Sequence, residues 1–268
     1  MSTDRGIAPS RFTRLTIGIV VGALFAIPLV STLLYTLRAD DGTLTLDRWV
    51  TALSPAGARL YGPIWVGLGN SLTLAVVTVL IVLLVLAPTM ILVNLRFPRL
   101  RAAFEFIVLL PITIPAIVLV VGLAPIYLQI GRNLGTGAWT LAFAYGITVL
   151  PFAYRAIQAS IDAVDMRTLA EAARSLGANW PTVIVRVLAP NLRPGLLAAA
   201  LISVAVVLGE FTIASLLNRQ VFQTAMVVVG KSDAYAPAIF TLLALTLVFL
   251  LLITIAVAGR PRTGRTRS

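Results

Sequence analysis

Glu171-Ala172-Ala173-Arg174-Ser175-Leu176-Gly177-Ala178 is the stretch around which the rest of this 268-residue chain can be read. It lies in a polar loop, Arg155–Pro194, between two long apolar runs. Asp162 or Asp165 is placed to start a helix, and Thr168 with Glu171 has the spacing of a capping box. Leu169, Ala172, Ala173 and Leu176 recur at helical spacing as one apolar stripe. Gly177 suits the left-handed conformation that stops a helix. Asn179, Trp180 and Pro181 restart one, since proline is tolerated in a first turn. Val183, Ile184 and Val187 give the second helix an apolar face, and Pro190 and Pro194 close it. The pattern predicts two short helices joined at a glycine corner. Ala172 and Ala173 present a low surface, and Glu171 and Arg174 flank it, an arrangement that sets register with a partner. A hairpin that only packs on its own bundle is the plainer alternative.

The rest of the chain reads as membrane. Hydrophobic residues make up 59% and charged residues 12%, against roughly 45–50% and 25% in soluble domains. Cysteine and histidine are absent. That excludes disulfides, thiolate chemistry, the usual zinc sites and histidine acid–base catalysis. No nucleophile–base pair is visible, so an enzyme is not indicated, and no metal site is expected.

A helix needs roughly 20 apolar residues to cross a bilayer core. Six segments qualify: Leu15–Leu37, Ser71–Val93, Phe104–Leu128, Ala138–Tyr154, Gly195–Leu217 and Ala236–Ala258. The third contains Pro111, Pro115 and Pro125, which bend helices. The predicted fold class is an all-α membrane protein with six transmembrane helices. Residues 1–14 form an N-terminal segment, 15–258 the membrane domain with the loop 155–194, and 259–268 a basic tail.

Arginine positions give the orientation. With both termini cytoplasmic, the inner side holds Arg5, Arg11, Arg14, Arg96, Arg99, Arg101, Arg155, Arg167, Arg174, Arg186, Arg193, Arg260, Arg262, Arg265 and Arg267. These are 15 of the 21 basic residues. The net charge of +11 is therefore largely a topology signal rather than a nucleic-acid patch. The first apolar run is longer than a signal-peptide core and lacks a clean cleavage site, which predicts an uncleaved anchor. The outer loop Arg38–Gly69 carries Asp40, Asp41, Asp47, Trp49 and Trp65. It reads equally as a partner surface or as an amphipathic cap with interfacial tryptophans.

The loop resembles the EAA loop of permease subunits of bacterial ATP-binding-cassette importers. That family's pattern is Glu-Ala-Ala, three residues, Gly, nine residues, then Ile-x-Leu-Pro. Glu171, Ala172, Ala173, Gly177 and the run Val187, Leu188, Ala189, Pro190 stand at the matching spacing. Valine and alanine replace the family's isoleucine and leucine. The resemblance implies a type I importer (MetI-like) permease fold in a bacterial cell membrane. It implies that Glu171, Ala172, Ala173, Arg174, Leu176, Gly177 and Ala178 make the contact with a cytoplasmic ATPase. It also implies two ATPase subunits, a second permease subunit forming a heterodimer, and an extracytoplasmic solute-binding protein. The phosphate-loop pattern GxxxxGK[ST] is absent. ATP and magnesium would thus belong to the partner ATPases, with no cofactor on this chain.

One acid lies within a predicted span. Glu210, in Leu208-Gly209-Glu210-Phe211-Thr212, is costly to bury in lipid, so it should face protein or a wet cavity. It reads equally as a substrate-pathway residue or as a structural one, with Ser203 two turns away on the same helical face. The Leu109–Pro115 region and Gly209–Leu217 resemble polyamine-type permeases. Sulfate- and molybdate-type permeases also carry Gly-Glu-Phe, so Glu210 by itself does not establish a cationic substrate; the resemblance implies a polyamine or related small cation, with sulfate, molybdate, iron or sugar as the alternatives. A secondary transporter or channel would have no need of the hairpin and usually shows inverted repeats or several intramembrane charges. A membrane scaffold would leave Glu210 incidental.

Overall fold

The computed structural model describes residues 10–39 and 41–258. Arg5, Asp40 and the tail arginines Arg260, Arg262, Arg265 and Arg267 lie outside the described residues. The described chain is helical, with one isolated bridge between Arg38 and Leu44. Its described residues divide into two compact units, those up to Tyr61 with 229–251, and 62–228 with those from Leu252 onward.

The first unit holds α1 (Arg11–Leu37), α2 (Asp47–Leu53), α3 (Pro55–Leu60) and most of α13 (Ala236–Ala258). α1 exposes apolar side chains around most of its circumference, as a helix does when its solvent is lipid. The Trp49 indole N–H donates to the Thr36 hydroxyl at 3.0 Å, which seats α2 on the end of α1. Asp233 accepts from the backbone N–H groups of Tyr235 and Ala236 at the start of α13, and the Tyr61 hydroxyl donates to it at 2.6 Å. Tyr235 stacks on Tyr35 and carries the Arg48 guanidinium over its ring.

The second unit is built on α4 (Gly62–Arg96), α7 (Ala138–Asp162) and α10 (Arg193–Gly209). Tyr145, Val149, Ala153 and Ile157 run down the buried side of α7. α10 crosses α7 closely at Gly195: a Cβ there would lie 2.8 Å from the Ala156 carbonyl oxygen and would collide with Ser160. The Ser160 hydroxyl accepts from the Gly195 N–H at 3.3 Å. α12 (Phe222–Val229) is fastened to α4 where Gly67 lets the Val221 carbonyl approach. Phe222 N–H donates to the Ser71 hydroxyl at 2.9 Å, and the Asn70 amide donates to the Gln220 carbonyl at 2.8 Å.

Four helices among the described residues are long and apolar enough to cross a membrane: Phe12–Leu37, Gly62–Arg96, Ala116–Asn133 and Ala138–Asp162. A fifth arises if α9 (Trp180–Asn191) and α10, which meet at 81°, are taken as one bent span. Ala236–Leu250 in α13 is apolar but shorter. Several predicted boundaries shift. The third span is two helices, α5 (Arg101–Leu109) and α6 (Ala116–Asn133), separated by a 3₁₀ turn at Leu110–Thr113. Ile114 is extended, with φ −98° and ψ 118°, as the residue before a proline prefers. Pro111 and Pro115 thus break the helix where a bend was expected. The second and fourth spans each run further than the apolar runs suggest. Residues 155–162 of the predicted loop are the last two turns of α7.

The fifth span also ends early. α10 stops at Gly209, Glu210 is extended, and α11 (Thr212–Leu216) follows as a separate turn.

Candidate functional site

The predicted hairpin is present as α8 (Met166–Ser175) and α9. Its start is Asp165, whose carboxylate accepts from the Thr168 N–H at 3.2 Å and the Thr168 hydroxyl at 2.7 Å. Those two hydrogen bonds hold the Asp165 carboxyl below the usual carboxylate range. The Thr168–Glu171 capping box therefore does not form: Thr168 is the capped residue, and Glu171 instead pairs with Arg167 at 2.9 Å on the exposed face. Asp162, the other candidate cap, accepts from Arg101 and from Gln158.

α8 ends in two backbone bonds, Ala178 N–H to Ala173 O at 3.1 Å and Gly177 N–H to Arg174 O at 3.0 Å. This is the Schellman pattern, and Gly177 supplies its left-handed residue at φ +85°. Asn179 then caps the next helix by accepting from the Thr182 N–H at 3.0 Å. Residues Val183–Leu188 are wound as a π-helix. Its i→i+5 bonds bring residues five apart onto one face, and Val183 and Leu188 are both fully buried. The second helix does not end at Pro190. It continues to Asn191, and the chain turns at Leu192 before Pro194 enters the first turn of α10.

The apolar stripe is also displaced from the predicted one. Met166, Leu169, Ala170 and Ala173 face the core. Ala172 and Leu176 face out, and Leu176 is 88% exposed. The hairpin's solvent face thus carries Glu171, Ala172, Leu176 and Gly177, while Ala173 and Ala178 are half-buried behind it. Arg174 is engaged within the hairpin: it donates to the Ala178 carbonyl at 3.4 Å and lies over the Trp180 ring, 5.4 Å from its centroid. Arg96, at the end of α4, lies over the same ring at 4.9 Å. No sequence pattern links Arg96 to Trp180, 84 positions apart; this contact is found only in three dimensions.

A polar network missed in the sequence joins α4, α5 and α7. The Asn94 amide donates to the Gln158 side chain at 3.3 Å, Gln158 donates to Asp162 at 2.9 Å, and Arg101 donates to the same carboxylate oxygen at 2.9 Å. It surrounds Gln158, which is buried and satisfied by these partners.

Glu210 is half-buried. Its carboxylate oxygens accept from the Ile213 N–H at 3.0 and 3.1 Å, which caps α11. Its carbonyl faces the Tyr145 hydroxyl at 3.4 Å, and the neighbouring Leu208 carbonyl accepts from Gln223 at 2.9 Å. The break in α10 is therefore hydrogen-bonded rather than orphaned. Ser203 is fully buried, and its hydroxyl donates to the Ala199 carbonyl of its own helix at 2.7 Å. The structure does not bring Ser203 and Glu210 to a common surface. Glu210 and the hairpin stand at opposite ends of α10, a helix of 17 residues, or about 25 Å.

Comparison with known proteins bears on this arrangement directly. The family model described as "binding-protein-dependent transport system inner membrane component" matches residues 89–262, which include the hairpin and Glu210. The spermidine/putrescine transport system permease protein PotB of Haemophilus influenzae is 26% identical over 237 residues, covering 79% of this chain and 80% of that protein. The resemblance read from Glu171–Gly177 is borne out at the level of the family. With its long apolar helices, this chain is a multi-pass membrane protein. The chain belongs to the family of inner-membrane permease components of binding-protein-dependent transport systems.

Proposed function

We propose that the α8–α9 hairpin is the docking element for a separate ATPase, and that the chain forms half of the translocation pathway of an ATP-driven importer. The observation that carries this is the form of the hairpin. It is capped at Asp165, closed by a Schellman turn at Gly177, and seated on the core by Met166 and Ala170, yet it leaves Leu176 exposed. A stiff element with an uncovered apolar tip is suited to a groove in a partner and to transmitting force. Glu171, Ala172, Leu176 and Gly177 make the contact, while Ala173, Arg174 and Ala178 set its shape.

In this reading α1, α4, α6, α7, α10 with α11, and α13 are six spans, and both termini are cytoplasmic. The hairpin then lies on the side where ATP is available. Two ATPase subunits bind ATP and magnesium and close together; the docked hairpins follow, and the spans rock between inward-open and outward-open states. A second permease subunit completes the pathway, and an extracytoplasmic solute-binding protein delivers the solute. The substrate is a polyamine or similar small cation. The spermidine/putrescine permease relationship and the half-buried acid Glu210 support that class.

The test replaces Leu176 with glutamate, which puts a charge on an exposed side chain without touching the core. The membrane-inserted variant should lose co-purification of the ATPase and lose uptake of labelled spermidine. Retention of the ATPase at wild-type yield would contradict docking at this surface.

A further inference from the structure

We propose that Trp180 is a positioning residue that links the hairpin to α4, so that displacement of the hairpin is passed directly to the second span. This rests on the docking role given to the hairpin above. Both guanidinium groups found at the Trp180 ring come from elements that would have to move together. Arg174 belongs to α8, and Arg96 is the last residue of α4, a single helix of 35 residues. The indole face attracts both cations through its quadrupole. It is the shared partner that lets two positive groups converge.

The Arg96 half of the link is separate from what seats the hairpin, while Trp180 also packs at the edge of the same buried cluster. Val183, Leu188, Met166 and Ala170 bury the hairpin's apolar side, and the two caps and the Schellman turn fix its internal shape. Those contacts remain when Arg96 is removed, because Arg96 is exposed and contributes nothing to the buried core. What Arg96 and Trp180 add is a lateral connection to the end of a helix of 35 residues. A cation over a ring tolerates sliding better than a bidentate ion pair, whose fork geometry is fixed. That suits a joint which must hold through a conformational change.

The experiment uses the intact transport complex in proteoliposomes, with ATP hydrolysis and spermidine uptake measured together. Arg96→Gln and Trp180→Ala should keep the ATPase bound and hydrolysing, and reduce uptake per ATP about fivefold or more. Arg96→Lys, which keeps a cation, and Trp180→Phe, which keeps an aromatic face, should recover most of that ratio. The double variant Arg96→Gln/Trp180→Ala should be no worse than Trp180→Ala alone, because one link is broken either way. An unchanged uptake-to-hydrolysis ratio in Arg96→Gln would overturn the proposal. So would loss of the bound ATPase in Trp180→Ala together with Trp180→Phe, which would make the residue a structural part of the hairpin. Failure of Leu176→Glu to release the ATPase would instead remove the docking reading, so the two ideas fail by different observations.

Discussion

The Glu210 carboxylate accepts a hydrogen bond from the Ile213 N–H, 3.0 Å from one oxygen and 3.1 Å from the other. The acid thus stands just past the end of the apolar helix α10, and it caps the turn that follows. Glu210→Gln keeps an acceptor for Ile213, whereas Glu210→Ala leaves that N–H without one, at a cost of about 1–2 kcal/mol. The glutamine variant should therefore melt close to wild type and the alanine variant lower, as read by thermal unfolding in detergent. If Glu210 also lines the path of a cation, Glu210→Gln should still lose most spermidine uptake, because the charge is gone while the cap remains. Unchanged uptake in that variant would leave Glu210 with the cap alone.

Gly177 gives a graded test of the hairpin's stop. Its φ is +85°, and a Cβ there would meet nothing within 4 Å. The cost of a side chain is therefore conformational and not steric, about 1 kcal/mol for alanine. Asparagine tolerates the left-handed region better, and proline cannot adopt it at all. Transport activity should fall in the order Asn, Ala, Pro, with Gly177→Pro inactive though inserted. Equal activity across the series would show that the Schellman turn is dispensable.

Asp165 makes the hairpin sensitive to acid. Its carboxyl is held below its ordinary value by bonds from Thr168. A group whose folded value is depressed stabilises above its unfolded value, about 3.9, and that contribution disappears as pH falls through the folded value. α8 should thus loosen as pH is lowered below about 4. A nitroxide attached at Ser175→Cys, the sole thiol in a cysteine-free chain, would report the change as increased mobility. Asp165→Asn retains a good cap and removes this titration, so its spectrum should stay constant over the same range.

The α7–α10 crossing is intolerant of added volume. A methyl group at Gly195 would press on the Ala156 carbonyl at 2.8 Å and on Ser160. Overpacking of this kind costs about 1–3 kcal/mol. Gly195→Ala should lower the melting temperature, and Gly195→Ala/Ser160→Gly should recover part of the loss.

The hairpin was legible because its signals are local. Caps, a glycine stop and a proline-tolerant first turn act over a few residues, and Gly177 and Asn179 do what their types suggest. The register of its buried face was less so. Leu169 and Ala173 point inward as the stripe predicts, but Met166 and Ala170 complete that face. Ala172 and Leu176, which fit the stripe equally well by period, point out. In a short helix two overlapping stripes share residues, and the body against which it packs chooses between them. The third and fifth spans show another limit. Hydropathy reads through Pro111–Pro115 and through Gly209–Glu210, because lipid solvation depends on composition, while helix continuity depends on each backbone donor. The Arg96–Trp180 contact has no local signal at all and depends on where α4 ends relative to the hairpin.

Docking of the hairpin's exposed tip on an ATPase can be read by proximity. Because the chain has no cysteine, Leu176→Cys introduces a unique thiol at that tip. A short bifunctional reagent applied to the assembled complex should join it to the ATP-binding subunit, whereas Leu44→Cys, in the loop after α1, should give no such adduct. Failure of the Leu176 thiol to cross-link in an active complex, or equal cross-linking from Leu44, would contradict docking at this tip.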